Sequence, residues 1–315
     1  MSSPLLCVRV QALRFEAQGV ISVELGLPEE GELPPFEAGA HIDLHLGNGL
    51  VRSYSLFNSP TERHRYVVGV LLDRSSRGGS RYVHEQLRVG ATLSISAPRN
   101  HFPLEEAAPL SVLIAGGIGI TPISCMYHHL RAQGKEVVLH YCARSRREAA
   151  FTRQLLGQPG VSSHFDDEAG CAPDLRAVLS AYPQQAHFYC CGPTPMLNAF
   201  ESLCEELDLP HVHIERFAAD KLAALPSGSY VAELARSKAS VTVPAGKSLL
   251  DALLDAGIEV EHSCREGVCG ACETKVLEGE LEHRDGVLSK AERAAGKTMM
   301  VCVSGCKGAR LVLDL

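Results

Sequence analysis

The 315 residues contain no basic segment, no long apolar run, no internal repeat and no low-complexity tract. Acidic residues outnumber basic ones, 37 to 30, for a net charge of −7, and none of the three stretches divided near residues 108 and 222 is net basic. Without a basic face, nucleic acid is not expected as a partner. No run approaches the roughly 18–20 apolar residues that span a bilayer, so no membrane partner is expected. The opening Met1-Ser2-Ser3-Pro4-Leu5-Leu6 lacks the basic n-region of a secretory signal. Hydrophobic residues at 45% and charged residues at 21% exclude disordered and collagen-like classes. What is left is a cytoplasmic chain of two or three domains at about 150 residues or fewer each.

Cysteine is plentiful, twelve in all, and its distribution carries the information. Seven are scattered (Cys7, Cys125, Cys142, Cys171, Cys190, Cys191 and Cys204), mostly in apolar runs, and read as small buried hydrophobes. A disulfide framework belongs to short secreted chains, which this is not. The other five lie between Cys264 and Cys306. Cys264-Arg265-Glu266-Gly267-Val268-Cys269-Gly270-Ala271-Cys272, followed by Cys302, is a C-x4-C-x2-C…C pattern, the spacing of a plant-type [2Fe–2S] centre. Three thiolates on one tight loop grip the iron pair and a distant fourth clamps it, while Gly267 and Gly270 let backbone N–H groups turn toward sulfur. A structural zinc site is the bland alternative, but its signature is two separated C-x2-4-C pairs. Cys306 competes with Cys302 for the fourth position. Cys302 is preferred because it follows the apolar Met299-Met300-Val301.

The texture changes twice along the chain. Residues 1–108 read as short alternating strands, such as Ser22-Val23-Glu24-Leu25, His41–Leu46 and Leu93-Ser94-Ile95, punctuated by Gly and Pro, which predicts an antiparallel β-barrel. One helix is expected there, with Ser80 as N-cap. Residues 109–222 alternate strand and helix: Val112-Leu113-Ile114-Ala115, Val137–Tyr141 and His187–Cys190 are buried-strand runs, which predicts an α/β domain with a parallel sheet. Residues 223–230 read as a linker, and residues 231–315 as an α+β domain whose cysteine spacing resembles that of plant-type ferredoxins, which implies a β-grasp fold. In that last stretch Ser248 starts a helix, Gly257 closes it, and Arg310–Leu313 is the final strand.

Two glycine turns mark the middle domain as a dinucleotide site. Gly116-Gly117-Ile118-Gly119-Ile120 follows a strand and leads to Thr121-Pro122, read as N-cap and first helical residue. This is not the spaced G-x-G-x-x-G fingerprint, and alone it also fits a merely tight turn. The second turn, Cys191-Gly192-Pro193, ends a later strand at the carboxyl edge where parallel sheets bind ligands. Arg144, in the run to Arg147, faces either an adenosine ribose or phosphate or simply solvent. In the first domain Arg52-Ser53-Tyr54-Ser55 offers a guanidinium for phosphate, a flat ring and hydroxyls, and Arg77-Gly78-Gly79-Ser80 is a second anion-binding turn. One phosphate site beside one ring site suits FMN rather than FAD.

With these motifs in this order, the sequence resembles the phthalate dioxygenase reductase family, which includes vanillate demethylase reductases, over nearly its whole length. The resemblance implies that Arg52 and Arg77–Ser80 hold FMN with Tyr54 and Ser55 at the ring, and that Val70-Leu71-Leu72 also touches it. It implies that Phe217 packs on the flavin and that Cys191 lies near the nicotinamide. It further implies NADH rather than NADPH as donor, a Rieske-type terminal oxygenase of a ring dioxygenase or O-demethylase as acceptor, and a monomer. Nothing resembling a hydrolytic triad is found, in keeping with chemistry carried by cofactors. The alternative from a different class is a non-catalytic, dinucleotide-responsive ferredoxin-like binding module.

Overall fold

Period-two alternation near the start of the chain becomes a barrel in the computed structural model, which describes residues 5–74, 76–217 and 228–315. Strands β1 (Leu6–Ala17), β2 (Val20–Gly26), β3 (His41–His45), β4 (Val51–Ser55), β5 (Tyr66–Leu71) and β6 (Thr92–Ile95) form one sheet in the order β4-β3-β6-β1-β2-β5. Every pair is antiparallel. A bridge between Leu56 and Val68 joins the two ends, helped by Phe57 N–H donating to the Val67 carbonyl at 2.9 Å, and so closes the barrel. Closure removes the free edges that an open sheet exposes. Val8, Val10, Val23, Leu25, Ile42 and Leu44 fill the interior. Helix α1 (Gly79–Glu85) starts earlier than the sequence implied: Gly78, at φ +98°, is the N-cap, not Ser80. Only glycine takes that left-handed turn without strain, so the chain is already turned before Ser80, whose hydroxyl bonds Ser76 instead.

The second sheet holds β7 (Ser111–Gly116), β8 (Val137–Ala143), β9 (Val161–Phe165), β10 (His187–Cys191) and β11 (Val212–Glu215), in the order β11-β10-β7-β8-β9. All its pairs are parallel. Between the strands run α2 (Ile120–Ala132), α3 (Thr152–Leu155), α4 (Asp166–Ala169), α5 (Leu175–Ser180) and α6 (Thr194–Glu206). Strand β7 is buried at every position, as its unbroken apolar run requires. The chain proceeds from β7 to β8 on one side and returns with β10 on the other. That places the topological switch point, the ligand crevice of such sheets, at the carboxyl ends of β7 and β10.

The chain divides into two compact units, Ser3–Glu215, containing both sheets above, and a unit that runs from Arg216 to Leu315. The latter has β12 (Tyr230–Leu234), β13 (Ala239–Val243), α7 (Leu249–Asp255), β14 (Glu273–Glu278), β15 (Leu281–Glu282), α8 (Lys290–Ala295), β16 (Thr298–Met300), β17 (Gly305–Cys306) and β18 (Arg310–Leu313). Its main sheet runs β13-β12-β18-β14-β16, with β12 and β18 parallel, and β15 pairs with β17. Ser248 caps α7 by accepting from Asp251 N–H at 3.0 Å, and Gly257 follows at φ +76°. Most of the expected linker lies outside the described residues, and Tyr230, assigned to it, opens β12.

Candidate functional site

On the barrel, alternation along β4 divides the Arg52–Ser55 motif between two faces, with Arg52 and Tyr54 on one and Ser53 on the other. Ser53 is committed inward: its hydroxyl donates to Asp43 Oδ1 at 2.5 Å, and the buried Asp43 also takes Arg99 Nη2 at 2.5 Å. Arg52 lies across Gly79, where a Cβ would stand 2.7 Å from its Nε and Cγ. The fold thus brings Arg52 to the Arg77–Ser80 turn, two motifs some twenty-five residues apart in the chain. Burial pushes the Tyr54 phenol up to about 12 against the lowering pull of Arg52, so it stays a neutral hydrogen-bonding ring. Ser55 is buried, and its hydroxyl has no hydrogen-bond partner among the described residues. An orphaned buried hydroxyl at the end of this strand fits an absent polar ring edge. Val70 is buried and its carbonyl meets His84 Nε2 at 2.9 Å, while Leu71 and Leu72 are exposed at 41% and 37%.

The barrel and the parallel sheet meet at β5. A Cβ on Gly69 would come within 2.7 Å of Thr121 Cγ2 and 3.1 Å of Phe151 Cζ, and the Phe151 ring stacks on Phe57 at 4.1 Å. The strand carrying Val70 and Leu71 is therefore held against the start of α2. Phe151, at φ +60°, is a strained non-glycine residue that the sequence reading passed over. No local pattern marks it.

The two glycine turns of the parallel sheet touch at the switch point. A Cβ on Gly119 would stand 2.2 Å from the Cys191 carbonyl oxygen, and one on Gly116 would stand 2.6 Å from Pro193 Cδ and 3.3 Å from Gly192 Cα. Gly117 has φ +55° and open space before it. Thr121 is not an N-cap: a 3-10 turn at Gly117–Gly119 leads straight into α2, so Gly119 caps it and Thr121 Oγ1 donates back to the Ile118 carbonyl at 3.0 Å. Pro122 is thereby carried inside the first turn of the helix and is buried. Thr194 likewise begins α6 with Pro193 as its cap. Arg144 is exposed with its guanidinium unpaired among the described residues, whereas Arg146 forms two bonds to Glu168, at 2.9 and 3.1 Å, over the Phe165 ring.

One crevice residue escaped the sequence reading. Glu215 ends β11 in register with Cys191, and the Cys191 thiol donates toward its Oε2 at 3.8 Å. Burial pushes the Glu215 carboxyl up to about 8 and the Cys191 thiol well up, so at neutral pH both are uncharged. A neutral floor with proton donors suits a carboxamide ring better than a phosphate. The signal was a lone Glu after Val212-His213-Ile214, an apolar pattern too short to stand out as a strand.

Phe217, near the start of the other unit, is 40% exposed. In that unit Cys264, Cys269, Cys272, Cys302 and Cys306 are all buried. The thiols come as two pairs, Cys264 with Cys269 and Cys272 with Cys302. Two pairs match the two irons of such a centre. Backbone N–H groups surround them: Cys264 N–H points at Cys269 Sγ at 3.5 Å, and Glu266 N–H donates to Cys264 Sγ at 3.3 Å. The Cys269 thiol and the Val268, Glu266 and Cys269 amides bring Cys264 down to about 7, the direction a thiolate ligand needs, while its partner Cys269 is pushed up by Cys264 and by burial. Gly267 N–H also serves Cys302, whose thiol is nevertheless pushed up by its partner Cys272 and by burial. Cys306 turns elsewhere, its thiol donating to the Arg310 carbonyl at 3.3 Å. Of the scattered cysteines, Cys7 and Cys171 are exposed and the other five are buried.

Residues 232–307 match a family described as the 2Fe-2S iron-sulfur cluster binding domain. The chain is 52% identical over 309 residues to the phenoxybenzoate dioxygenase subunit beta of Ectopseudomonas oleovorans, covering 98% of this chain and 97% of that protein. It is 48% identical over 308 residues to the tetrachlorobenzoquinone reductase of Sphingobium chlorophenolicum, covering 95% and 94%. Among solved structures it is similar to phthalate dioxygenase reductase, described as a modular structure for electron transfer from pyridine nucleotides to [2Fe-2S], at a TM-score of 0.73 and 38% identity over 99% of this chain and 98% of that one. The barrel, the parallel sheet with its switch-point crevice and the four-cysteine unit are those of one lineage of oxidoreductases, and the chain belongs to the phthalate dioxygenase reductase family.

Proposed function

We propose that the chain is the reductase component of an aromatic-ring oxygenase system, taking electrons from NADH through FMN and a [2Fe–2S] cluster to a Rieske-type terminal oxygenase. The observation that carries this reading is the seam at β5: Gly69 presses on Thr121, so the flavin strand and the dinucleotide turn are rigidly adjacent. Bound there, FMN supplies the conversion of a two-electron donor into single electrons that an iron pair can accept. The non-catalytic alternative gives way, since such adjacency serves transfer and the similar proteins are oxidoreductases by name.

The chain's own residues then have distinct tasks. Arg52 and the Arg77–Ser80 turn hold the FMN phosphate by charge-assisted bonds. Tyr54, Ser55 and the edge of β5 orient the ring. The Gly116–Gly119 turn and the α2 N-terminus, with Gly192 and Pro193, receive the dinucleotide pyrophosphate. Cys191 and Glu215 stay neutral beneath the nicotinamide and place its carboxamide. Arg144 takes the adenosine end. Cys264, Cys269, Cys272 and Cys302 hold the cluster.

Cytoplasmic location and a monomeric state belong to the same proposal. Among the described residues no helix is long and apolar enough to cross a membrane. The test is NADH-driven reduction of cytochrome c and of candidate oxygenase components by the purified, cofactor-loaded protein, with NADPH in parallel. Oxygenase turnover supported by NADH is expected. Reduction of chlorinated quinones with no oxygenase supported would instead assign the activity of the Sphingobium relative.

A further inference from the structure

A buried carboxylate lies behind the cluster loop, on none of the elements that carry cysteines. Asp285 is 4% exposed, in the loop between β15 and α8. Its Oδ2 accepts from Val287 N–H at 3.2 Å and Leu288 N–H at 2.8 Å, and its Oδ1 accepts from the Ser304 hydroxyl at 3.3 Å. His283 Nδ1 stands 3.6 Å from Oδ1 and Arg293 Nη2 stands 3.9 Å from Oδ2. Arg293 also donates to the Asp285 carbonyl, and Ser304 Oγ receives Arg284 N–H at 3.2 Å. The Val287 and Leu288 amides and the Ser304 hydroxyl all donate to this side chain, and the Arg293 guanidinium faces it.

The next residue reaches the cluster loop. Gly286 N–H donates to the Gly267 carbonyl at 2.8 Å, and the Gly267 N–H is the one that serves Cys302 Sγ. The approach is close: a Cβ on Gly267, already at φ +70°, would meet Val303 Cγ2 at 2.5 Å and Asp285 Cα at 3.1 Å. Ser304 lies two residues beyond Cys302, and its N–H returns to the Met300 carbonyl at 2.9 Å. Asp285 therefore ties together the two segments that must meet for four thiols to form two pairs: the loop with Cys264, Cys269 and Cys272, and the turn with Cys302.

We propose that Asp285 is a positioning residue of the iron–sulfur site, fixing the Gly267 peptide and the Cys302 turn and setting a negative charge behind them. The proposal rests on the four cysteines holding the cluster. It has two separable consequences. The ties slow cluster loss, because partners behind the ligands change metal affinity about 10–100-fold. The charge, in a water-poor setting, opposes the added electron and lowers the reduction potential.

Two variants of the full, cofactor-loaded chain test this. Asp285→Asn keeps the shape and removes the charge. It is expected to favour the reduced cluster about tenfold, or about 59 mV for one electron, and to release iron to a chelator about tenfold faster. Ser304→Ala keeps the charge and cuts the tie to the Cys302 turn, so faster release with an unchanged potential is expected. A merely structural Asp285 would lower the unfolding temperature and leave potential and release rate alone, and that result overturns the proposal. Should Asp285→Asn fail to fold, Ser304→Ala decides, and release at the wild-type rate is again fatal. A wild-type protein that takes up no iron and sulfide would sink the cluster reading instead, which keeps the two failures apart.

Discussion

Replacing Gly119 by alanine places one methyl group where the two dinucleotide turns cross. Its Cβ would start 2.2 Å from the Cys191 carbonyl oxygen, 2.4 Å from its carbon and 2.7 Å from Gly192 N, all backbone atoms that no rotamer change can move aside. Real Cβ contacts are essentially never under 3.0 Å, so the Gly117–Gly119 turn and the end of β10 must part by about 0.8 Å. Gly119 itself has φ −60°, so the cost is collision and not backbone strain. A displacement near 1 Å of a positioned reactant costs about 100-fold in rate, or about 2.7 kcal/mol of transition-state stabilisation. The expectation is a kcat/KM for NADH, with ferricyanide as acceptor, lowered about 100-fold, and a stability loss of about 1–3 kcal/mol from overpacking. Dithionite should still reduce the cluster normally. Gly134→Ala is the control: φ +69° with nothing within 4 Å gives strain without collision. It should cost about 1–2 kcal/mol of stability and leave NADH kinetics unchanged. A Gly119→Ala enzyme within twofold of wild type in kcat/KM would refute the assignment of this crossing as the nicotinamide crevice.

Arg52→Ala should weaken FMN about 10–100-fold, the worth of a charged hydrogen bond at about 1.5–3 kcal/mol, as read by flavin fluorescence on titration; unchanged affinity removes Arg52 from the phosphate. Cys302→Ser should abolish cluster loading while Cys306→Ser retains full iron content, and a loaded Cys302→Ser protein would hand the fourth position to Cys306. Glu215 adds a pH signature. Its folded pKa is raised from 4.5 to about 8, so its contribution to stability is full below about 4.5 and is lost as pH rises through about 8. Denaturant unfolding should therefore show wild type losing stability relative to Glu215→Gln over that window, and a difference independent of pH would mean the carboxyl is solvated.

The chemistry of this protein could be read along the chain because its markers are local. Thiolate ligands must be cysteines at set separations, and Cys264-x4-Cys269-x2-Cys272 lies within nine residues. Unbroken apolar runs such as Val112–Ala115 announce a strand covered on both faces, and Gly116–Gly119 announces the turn after it. Helix α8 was equally legible and was passed over: Ser289-Lys290-Ala291-Glu292 is a complete capping box. Helix starts were misjudged at Ser80 and Thr121 because glycine geometry, which leaves no side-chain trace, had already turned the chain.

What remained hidden depends on contacts between distant segments. The apolar Met299-Met300-Val301 run favours Cys302 over Cys306 on paper, but that Cys302 meets Cys272 while Cys306 turns to the Arg310 carbonyl is decided by the turn after β16. Glu215 and Asp285 look like surface acids in sequence. One is kept neutral by burial, against the lowering pull of Cys191 on the strand beside it, and the other is surrounded by donors from three segments. The pattern of residue types along the chain names the cofactors it can hold. The protonation of a buried acid, the partner of a thiol and the closeness of two turns follow from desolvation and packing, which exist only once the chain has closed on itself.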